Sequence, residues 1–375
     1  MRYKKFGNTG AEVSVLGFGC MRFPMIRKDS KEYVDEDRTI PMLRRAYELG
    51  VNYFDTAYFY CGGQSEIVLG KALKGIRDKV YVSTKSPGHL VRKPGDYRRI
   101  LEEQLRKLDI DFIDFYHFHG IGYNNFYQTD NASGWLKDAK QAKEEGLIRH
   151  ISFSFHDEPG AMLKLVDTGL FENVLCQYNA IDKSNAEGIV HAKSKGLGVA
   201  VMGPLGGGRV SGMPAEVADK LGIQVRSSAE LALRFVLANP DIDIALSGMG
   251  SMQMVEENAA TASNSEPLSK RELDAINAMM EENEKLAKLY CTGCSYCMPC
   301  PSGVNIPHIF KTMNYYRIYN TVEYARNEYT NIGCEWIPGK DATACTECGA
   351  CEKKCPQKLK IREQLKESHA ALSLK

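Results

Sequence analysis

Twelve cysteines stand among 375 residues, and eight of them fall in two short runs near the C-terminus. The first run is Cys291-x2-Cys294-x2-Cys297-x2-Cys300 followed by Pro301, the second Cys345-x2-Cys348-x2-Cys351-x3-Cys355 followed by Pro356. Three thiolates at successive three-residue steps wrap one loop around an iron–sulfur cubane, and a fourth follows before a proline that turns the chain away. The second run fits that spacing residue for residue, whereas the first is one residue short before Cys300. Zinc prefers ligand pairs separated by a longer loop, so three thiolates in seven residues suit it poorly. Disulfides would require export, and Met1-Arg-Tyr-Lys-Lys-Phe has no apolar stretch behind its basic residues. The expectation is electron-transfer chemistry in a reducing cytoplasm, with Cys20, Cys61, Cys176 and Cys334 as scattered structural thiols.

A second set of reactive side chains closes short apolar runs in the N-terminal part. Asp55-Thr-Ala-Tyr-Phe-Tyr60, Val82-Ser-Thr-Lys85 and Phe112-Ile-Asp-Phe-Tyr-His-Phe-His119 each end a β-like segment on polar residues. A carbonyl that accepts a hydride develops negative charge on oxygen, so a proton donor must stand beside it. A tyrosine can serve if a nearby cation pulls down its pKa, normally about 10. Taken singly, these residues have plainer readings: a helix cap, a solvated lysine, a satisfied core histidine.

The elements that must position them alternate regularly. Runs at Val15–Gly19, Tyr53–Thr56, Val80–Lys85, Phe112–His119, Ile148–Ser154, Val174–Tyr178, Gly198–Met202 and Ile244–Ser247 read as strands. Amphipathic stretches such as Thr39–Leu49, Tyr97–Leu108 and Met252–Ala262 separate them. Eight β-then-α units in this length predict an α/β fold, a (β/α)8 barrel over residues 1–265. A doubly wound sheet lacks support, because no Gly-x-Gly-x-x-Gly turn follows the first strand. Residues 1–13 read as a hairpin that plugs the barrel floor. Residues 266–290 read as a connecting helix, capped at Ser269 with Glu272 three residues on. The 44 residues between the cysteine runs carry helical patterning, so residues 291–375 are expected to form a mostly helical ferredoxin-like domain. A net charge of +1 gives no case for nucleic acid or an anionic membrane, and no stretch has the length of a transmembrane helix.

The strand-end motifs resemble the aldo-keto reductase family: Asp–x4–Tyr, Lys ending the third strand, and Asp114–x4–His119 ending the fourth. Leu16-Gly-Phe-Gly, Gly63-Gln-Ser-Glu-x3-Gly70, Gln177-Tyr-Asn, Gly203-Pro-Leu-Gly-Gly-Gly208 and Val255-Glu-Glu-Asn258 extend the likeness to about residue 262. The C-terminal part resembles helical two-cluster ferredoxins appended to a branch of that family. The resemblance implies Tyr60 as general acid and base, Lys85 as the cation, Asp55 as its anchor and His119 as the group that orients the carbonyl. His117 lies two residues from His119 and shares its face, but only His119 has the family's register. Tyr58 and Cys61 read as pocket wall, as do Met21, Arg22, Phe23, Trp135, Phe155 and His156. As in two-cluster ferredoxins, the fourth cysteine of each run would serve the other cluster. Cys291, Cys294, Cys297 and Cys355 would then hold one [4Fe–4S] group, and Cys345, Cys348, Cys351 and Cys300 the other.

The family's nicotinamide site maps onto Ser154, Gln177, Met202, Gly203, Pro204, Leu205, Gly206, Arg209, Gly248, Ser251, Met254, Glu257 and Asn258. Three positions depart from its pattern. Phe155 follows Ser154 where asparagine is usual, Met202 replaces a stacking aromatic, and Ser247–Met254 holds none of the basic residues that grip an adenosine 2′-phosphate. NAD(P)(H) without strong selection for NADPH is therefore expected. Clusters carry single electrons and nicotinamides carry hydrides, which leaves room for a flavin as converter. The readings are an oxidoreductase acting on a small carbonyl or alcohol, a ferredoxin-linked and flavin-mediated reductase, or a catalytically idle redox-sensing barrel. A redox partner such as a ferredoxin fits the first two.

Overall fold

The computed structural model describes residues 1–29, 31–180, 182–204, 225–264, 266–291, 295, 297–317, 321–334, 336–355 and 358–373. The chain divides into two compact units, one of residues 1–204 and 232–268, the other of residues 205–231 and 269–375.

In the first unit the strands are β1 (Tyr3–Lys5), β2 (Glu12–Ser14), β3 (Leu16–Gly19), β4 (Met25–Lys28), β5 (Lys31–Val34), β6 (Tyr53–Asp55), β7 (Tyr81–Pro87), β8 (Ile113–Ile121), β9 (Ile148–Phe155), β10 (Asn173–Gln177), β11 (Gly198–Met202) and β12 (Ile244–Ser247). β3 and β6–β12 pair in parallel and close a barrel of eight strands, as the βα arithmetic predicts. Tight βα pairing requires close backbone approach at some points. A Cβ on Gly70 would lie 2.2 Å from the Leu108 carbonyl oxygen, so only glycine lets the helix Ser65–Ala72 meet the end of Asp96–Leu108.

β1 and β2 form the expected hairpin, in which Tyr3 faces Ser14. Between them Phe6 enters the barrel floor, fully buried, with its ring 5.0 Å from that of Phe115 and 5.8 Å from that of Tyr53. Backbone bonds from Asn8 N to Gly196 O (2.8 Å) tie the plug in place. Two elements were not foreseen: the β4–β5 hairpin and the helix Tyr123–Ser133, inserted ahead of Trp135–Glu144.

The second unit contains the helices Lys270–Tyr290, Ile306–Arg317, Val322–Thr330, Ala350–Lys354 and Ile361–Leu372, and a parallel bridge between Val304 and Lys340. Ile306, Ile309, Phe310, Ala325, Tyr329, Ile361 and Leu365 are buried in it. No described helix is long and apolar enough to cross a membrane.

Candidate active site and cysteine loops

Asp55 ends β6 and Lys85 lies in β7, and both side chains are almost fully buried. Lys85 Nζ donates to Asp55 Oδ2 at 2.6 Å and to the Thr56 carbonyl oxygen at 2.7 Å, while Ser83 Oγ donates to Asp55 Oδ1 at 2.9 Å. Burial opposes the lysine's charge, but Asp55 and then Tyr60 outweigh it, so its pKa is raised.

Tyr60 opens a turn in which Cys61, Gly62 and Gly63 all take positive φ (52°, 64° and 84°). Glycines supply such geometry freely, whereas Cys61 holds it at a cost of about 1 kcal/mol. The Tyr60 ring centre lies 5.0 Å from Lys85 Nζ and 6.3 Å from the His119 ring, which meets it edge-on. The sequence led us to expect a lowered tyrosine pKa. Lys85 does lower it, but burial acts more strongly and the net direction is upward.

His119 and His117 are both held neutral at physiological pH, each with its pKa lowered to about 3, chiefly by burial and then by the Lys85 charge. His117 is fully buried with the Phe153 backbone beside it, and neither ring nitrogen makes a hydrogen bond of normal geometry among the described residues. In sheet register His117 stands between Lys85 on β7 and Ser152 on β9.

One group of residues supports the site without having been singled out as functional. Gln104 Nε2 reaches Thr84 Oγ1 (3.1 Å), the Lys85 carbonyl oxygen (3.2 Å) and buried Glu66, while Tyr116 OH donates to Gln104 Oε1 at 2.6 Å. Glu66 also accepts from Thr84 at 2.7 Å, and burial raises its pKa. The signal was the Glu in Gly63-Gln-Ser-Glu-x3-Gly70, a carboxylate on the inner face of a short helix.

Two supposed pocket residues lie elsewhere. Trp135 is fully buried behind the strands, with ring neighbours Phe118 (4.5 Å), Phe126 (5.6 Å) and Tyr97 (5.9 Å). The inserted helix ahead of it moves it off the strand end. Tyr58 turns toward the helix Asp96–Leu108, where its hydroxyl donates to Glu103 at 2.9 Å and the Lys107 ammonium sits over its ring.

Ser154, Gln177 and Met202 lie at the ends of β9, β10 and β11, with Gln177 paired to Met202. The Ser154 hydroxyl is buried without a partner. Gly203 has φ of 63°, and a Cβ there would come 2.6 Å from the Gln177 amide nitrogen. Pro204 is buried beside it. Gly248 follows β12, and the side-chain carbons of Arg22 lie 3.4–3.6 Å from where its Cβ would be. Ser251 Oγ accepts from Met254 N at 3.2 Å, Glu257 accepts from Gln253 at 2.7 Å, and Asn258 donates to Ser247 Oγ at 3.1 Å. Leu205, Gly206 and Arg209 lie outside the described residues. A buried hydroxyl on β9 with no partner among the described residues, and a side-chain amide at the end of neighbouring β10, fit a carboxamide, which both donates and accepts.

Cys300, Cys345, Cys348, Cys351 and Cys355 are free thiols of the second unit, to which Cys291 and Cys297 also belong; Cys294 lies outside the described residues. Ser302 Oγ and Thr346 Oγ1, 3.0 Å apart, join the two cysteine loops, and Cys345 and Cys351 are close enough to interact electrostatically. Among the described residues no three ligating side chains converge as a single ion would need. A cubane spreads its thiolates more widely than one ion does, and an all-thiol donor set on two joined loops fits it.

A hydrogen-bonded Asp–Lys pair, a tyrosine and a neutral histidine thus meet in a (β/α)8 barrel. The chain belongs to the aldo/keto reductase family, which matches residues 15–281, and residues 290–359 match the 4Fe-4S dicluster domain. L-galactose dehydrogenase of Arabidopsis thaliana is 30% identical over 76% of this chain and 95% of its own length. Among solved structures, the holo form of an aldo-keto reductase from Bacillus halodurans is similar with a TM-score of 0.62 and 25% identity, covering 74% of this chain and 96% of that one. The aldo/keto reductase of Klebsiella pneumoniae in complex with NADP and acetate shares the fold, with a TM-score of 0.61 and 24% identity over 74% and 95% of the two chains.

Proposed function

We propose that this oxidoreductase interconverts a small carbonyl compound and its alcohol, with Tyr60 as general acid in reduction and general base in oxidation. The observation that carries the reading is the contact chain from Asp55 through Lys85 to Tyr60, with His119 across the ring. A raised pKa keeps the Tyr60 hydroxyl protonated at neutral pH, the form a donor needs. Lys85 then offsets the negative charge left on the phenolic oxygen, and Asp55 and the Thr56 carbonyl hold Lys85 in place. Neutral His119 can donate one N–H to the carbonyl oxygen and so fix its direction toward Tyr60.

Ser154, Gln177 and the Gly203 backbone are the groups that would hold a nicotinamide carboxamide, and a bound nicotinamide would supply the hydride. Residues 1–265 carry this chemistry in our reading, 266–290 connect, and 291–375 hold two [4Fe–4S] clusters on the eight cysteines. Bound clusters would supply single-electron exchange with a redox protein. Twelve cysteines, eight of them in two cluster-type runs, support a reducing compartment such as the cytoplasm.

Replacing Tyr60 by Phe removes only the hydroxyl and tests the reading. Turnover with a nicotinamide and a panel of small aldehydes should fall roughly 10²–10⁴-fold, while nicotinamide affinity stays within about twofold. Retention of most activity would move the proton donor elsewhere.

A further inference from the structure

The loop that carries Cys355 is flanked by four lysines, three of which have no ion-pair partner among the described residues. Lys353 and Lys354 close the helix Ala350–Lys354, Cys355 caps it, and a turn from the Lys358 amide to the Cys355 carbonyl (3.1 Å) brings the chain to Lys358 and Lys360. All four lysines are exposed. From Glu347 to Arg362 five cations stand against two carboxylates, a net +3. Both carboxylates are already engaged. Glu352 takes Arg362 Nη2 at 2.8 Å and Nε at 3.0 Å, and Glu347 takes Lys366 at 2.8 Å. Among the described residues Lys353, Lys354 and Lys358 have no ion-pair partner, and Lys360 has only Glu363 at 3.4 Å, a three-quarters-exposed pair of little worth. The whole chain has a formal charge of only +1, which leaves the remainder slightly negative, so this is a local concentration of positive charge.

Cys355 is half-buried, and the lysines adjoin it along the chain on both sides. We infer that the Lys353–Lys354–Lys358–Lys360 face is the docking surface for an acidic electron-carrier protein, which it steers onto the Cys355 loop. The inference rests on the iron–sulfur reading of this unit. A bound iron–sulfur group would take up the one electron that the reduced carrier gives up, the carrier being oxidised in turn, with no bond formed or broken and no proton moved. Charges of this kind act mainly on encounter rate and partner choice, and they are screened by salt. A plainer role is compensation of the negative charge of a thiolate-bound cluster. That role would alter the midpoint potential but not the affinity for a partner.

The test titrates the anaerobically purified full-length protein with a purified acidic [2Fe–2S] ferredoxin by calorimetry, alongside iron and sulfide analysis. Affinity should weaken at least about tenfold between low salt and a few tenths molar NaCl. Lys353→Glu with Lys354→Glu and Lys358→Glu should weaken it at least about tenfold again at low salt, and the three Gln substitutions should give an intermediate loss. Reduction by a small viologen and the iron content should remain unchanged. The control Lys137→Glu with Lys140→Glu, on the barrel helix Trp135–Glu144, should leave binding intact. Salt-independent binding, equal losses in both sets, or tighter binding to duplex DNA or phosphatidylserine vesicles would overturn the docking surface. Low iron with salt-dependent carrier binding intact would uphold the surface and sink the cluster reading alone.

Discussion

Lys85 and Asp55 sit side by side on neighbouring barrel strands, 2.6 Å apart and almost sealed from water. A buried pair of this kind is costly to break from one side, because the survivor keeps its charge and loses its partner. Asp55→Asn is therefore expected to destabilise the protein by about 3–5 kcal/mol and to lower the Lys85 pKa, since Asp55 is the main group raising it. Chemical denaturation measures the first effect and the pH–rate profile the second. A loss below about 1 kcal/mol would mean that solvent reaches the pair.

His117 makes a prediction about acid. Its ring stays neutral in the folded barrel down to about pH 3, whereas an unfolded histidine takes up a proton below about 6.5. The unfolded state thus binds more protons as pH falls, and this contribution is fully present above pH 6.5 and lost progressively toward pH 3. His117→Gln should shed that liability. Between pH 7 and pH 5 its stability should fall by about 2 kcal/mol less than that of the wild type, as read from urea midpoints. Equal slopes would show that the imidazole is already paired, for instance with a buried water.

The two nicotinamides should bind within about tenfold of one another, because Ser247–Met254 offers the adenosine phosphate no lysine or arginine. Calorimetric titration of one preparation with NADH and NADPH decides it. A hundredfold preference for NADPH would direct attention to Arg22, whose side chain runs along Gly248. Arg22→Ala would then abolish that preference.

Anaerobic protein should contain about eight iron atoms and as much sulfide, from two four-cysteine sets. Cys300→Ser should reduce the iron to about four. Four in the wild type would implicate the shortened Cys297-x2-Cys300 spacing.

Strand ends were legible in the sequence because the period of two and the βα alternation leave few registers. Asp55 and Lys85 are therefore set at strand ends by pattern alone, whereas the choice of His119 over His117 rests on the family resemblance. Tyr58 and Trp135 were misread for a shared reason. A residue just past a strand can turn into the mouth or back under the helices, and only its neighbours decide. Glu103 and Lys107 draw Tyr58 outward, and the helix Tyr123–Ser133 displaces Trp135. The β4–β5 hairpin escaped notice because Met-Ile-Arg-Lys and Lys-Glu-Tyr-Val lack apolar alternation, both strands being largely exposed. The sign of the Tyr60 shift was equally out of reach, since it depends on how far burial outweighs Lys85.

The Phe6 plug also bears on kinetics. Phe6, Tyr53 and Phe115 close the floor, so among the described residues the reactants are left the opposite, C-terminal end of the barrel to share. Two reactants that share one doorway must queue: the one seated deeper enters first and leaves last. Steady-state analysis of such a site gives intersecting lines with compulsory order. The last product out competes with the first reactant in and is non-competitive toward the second.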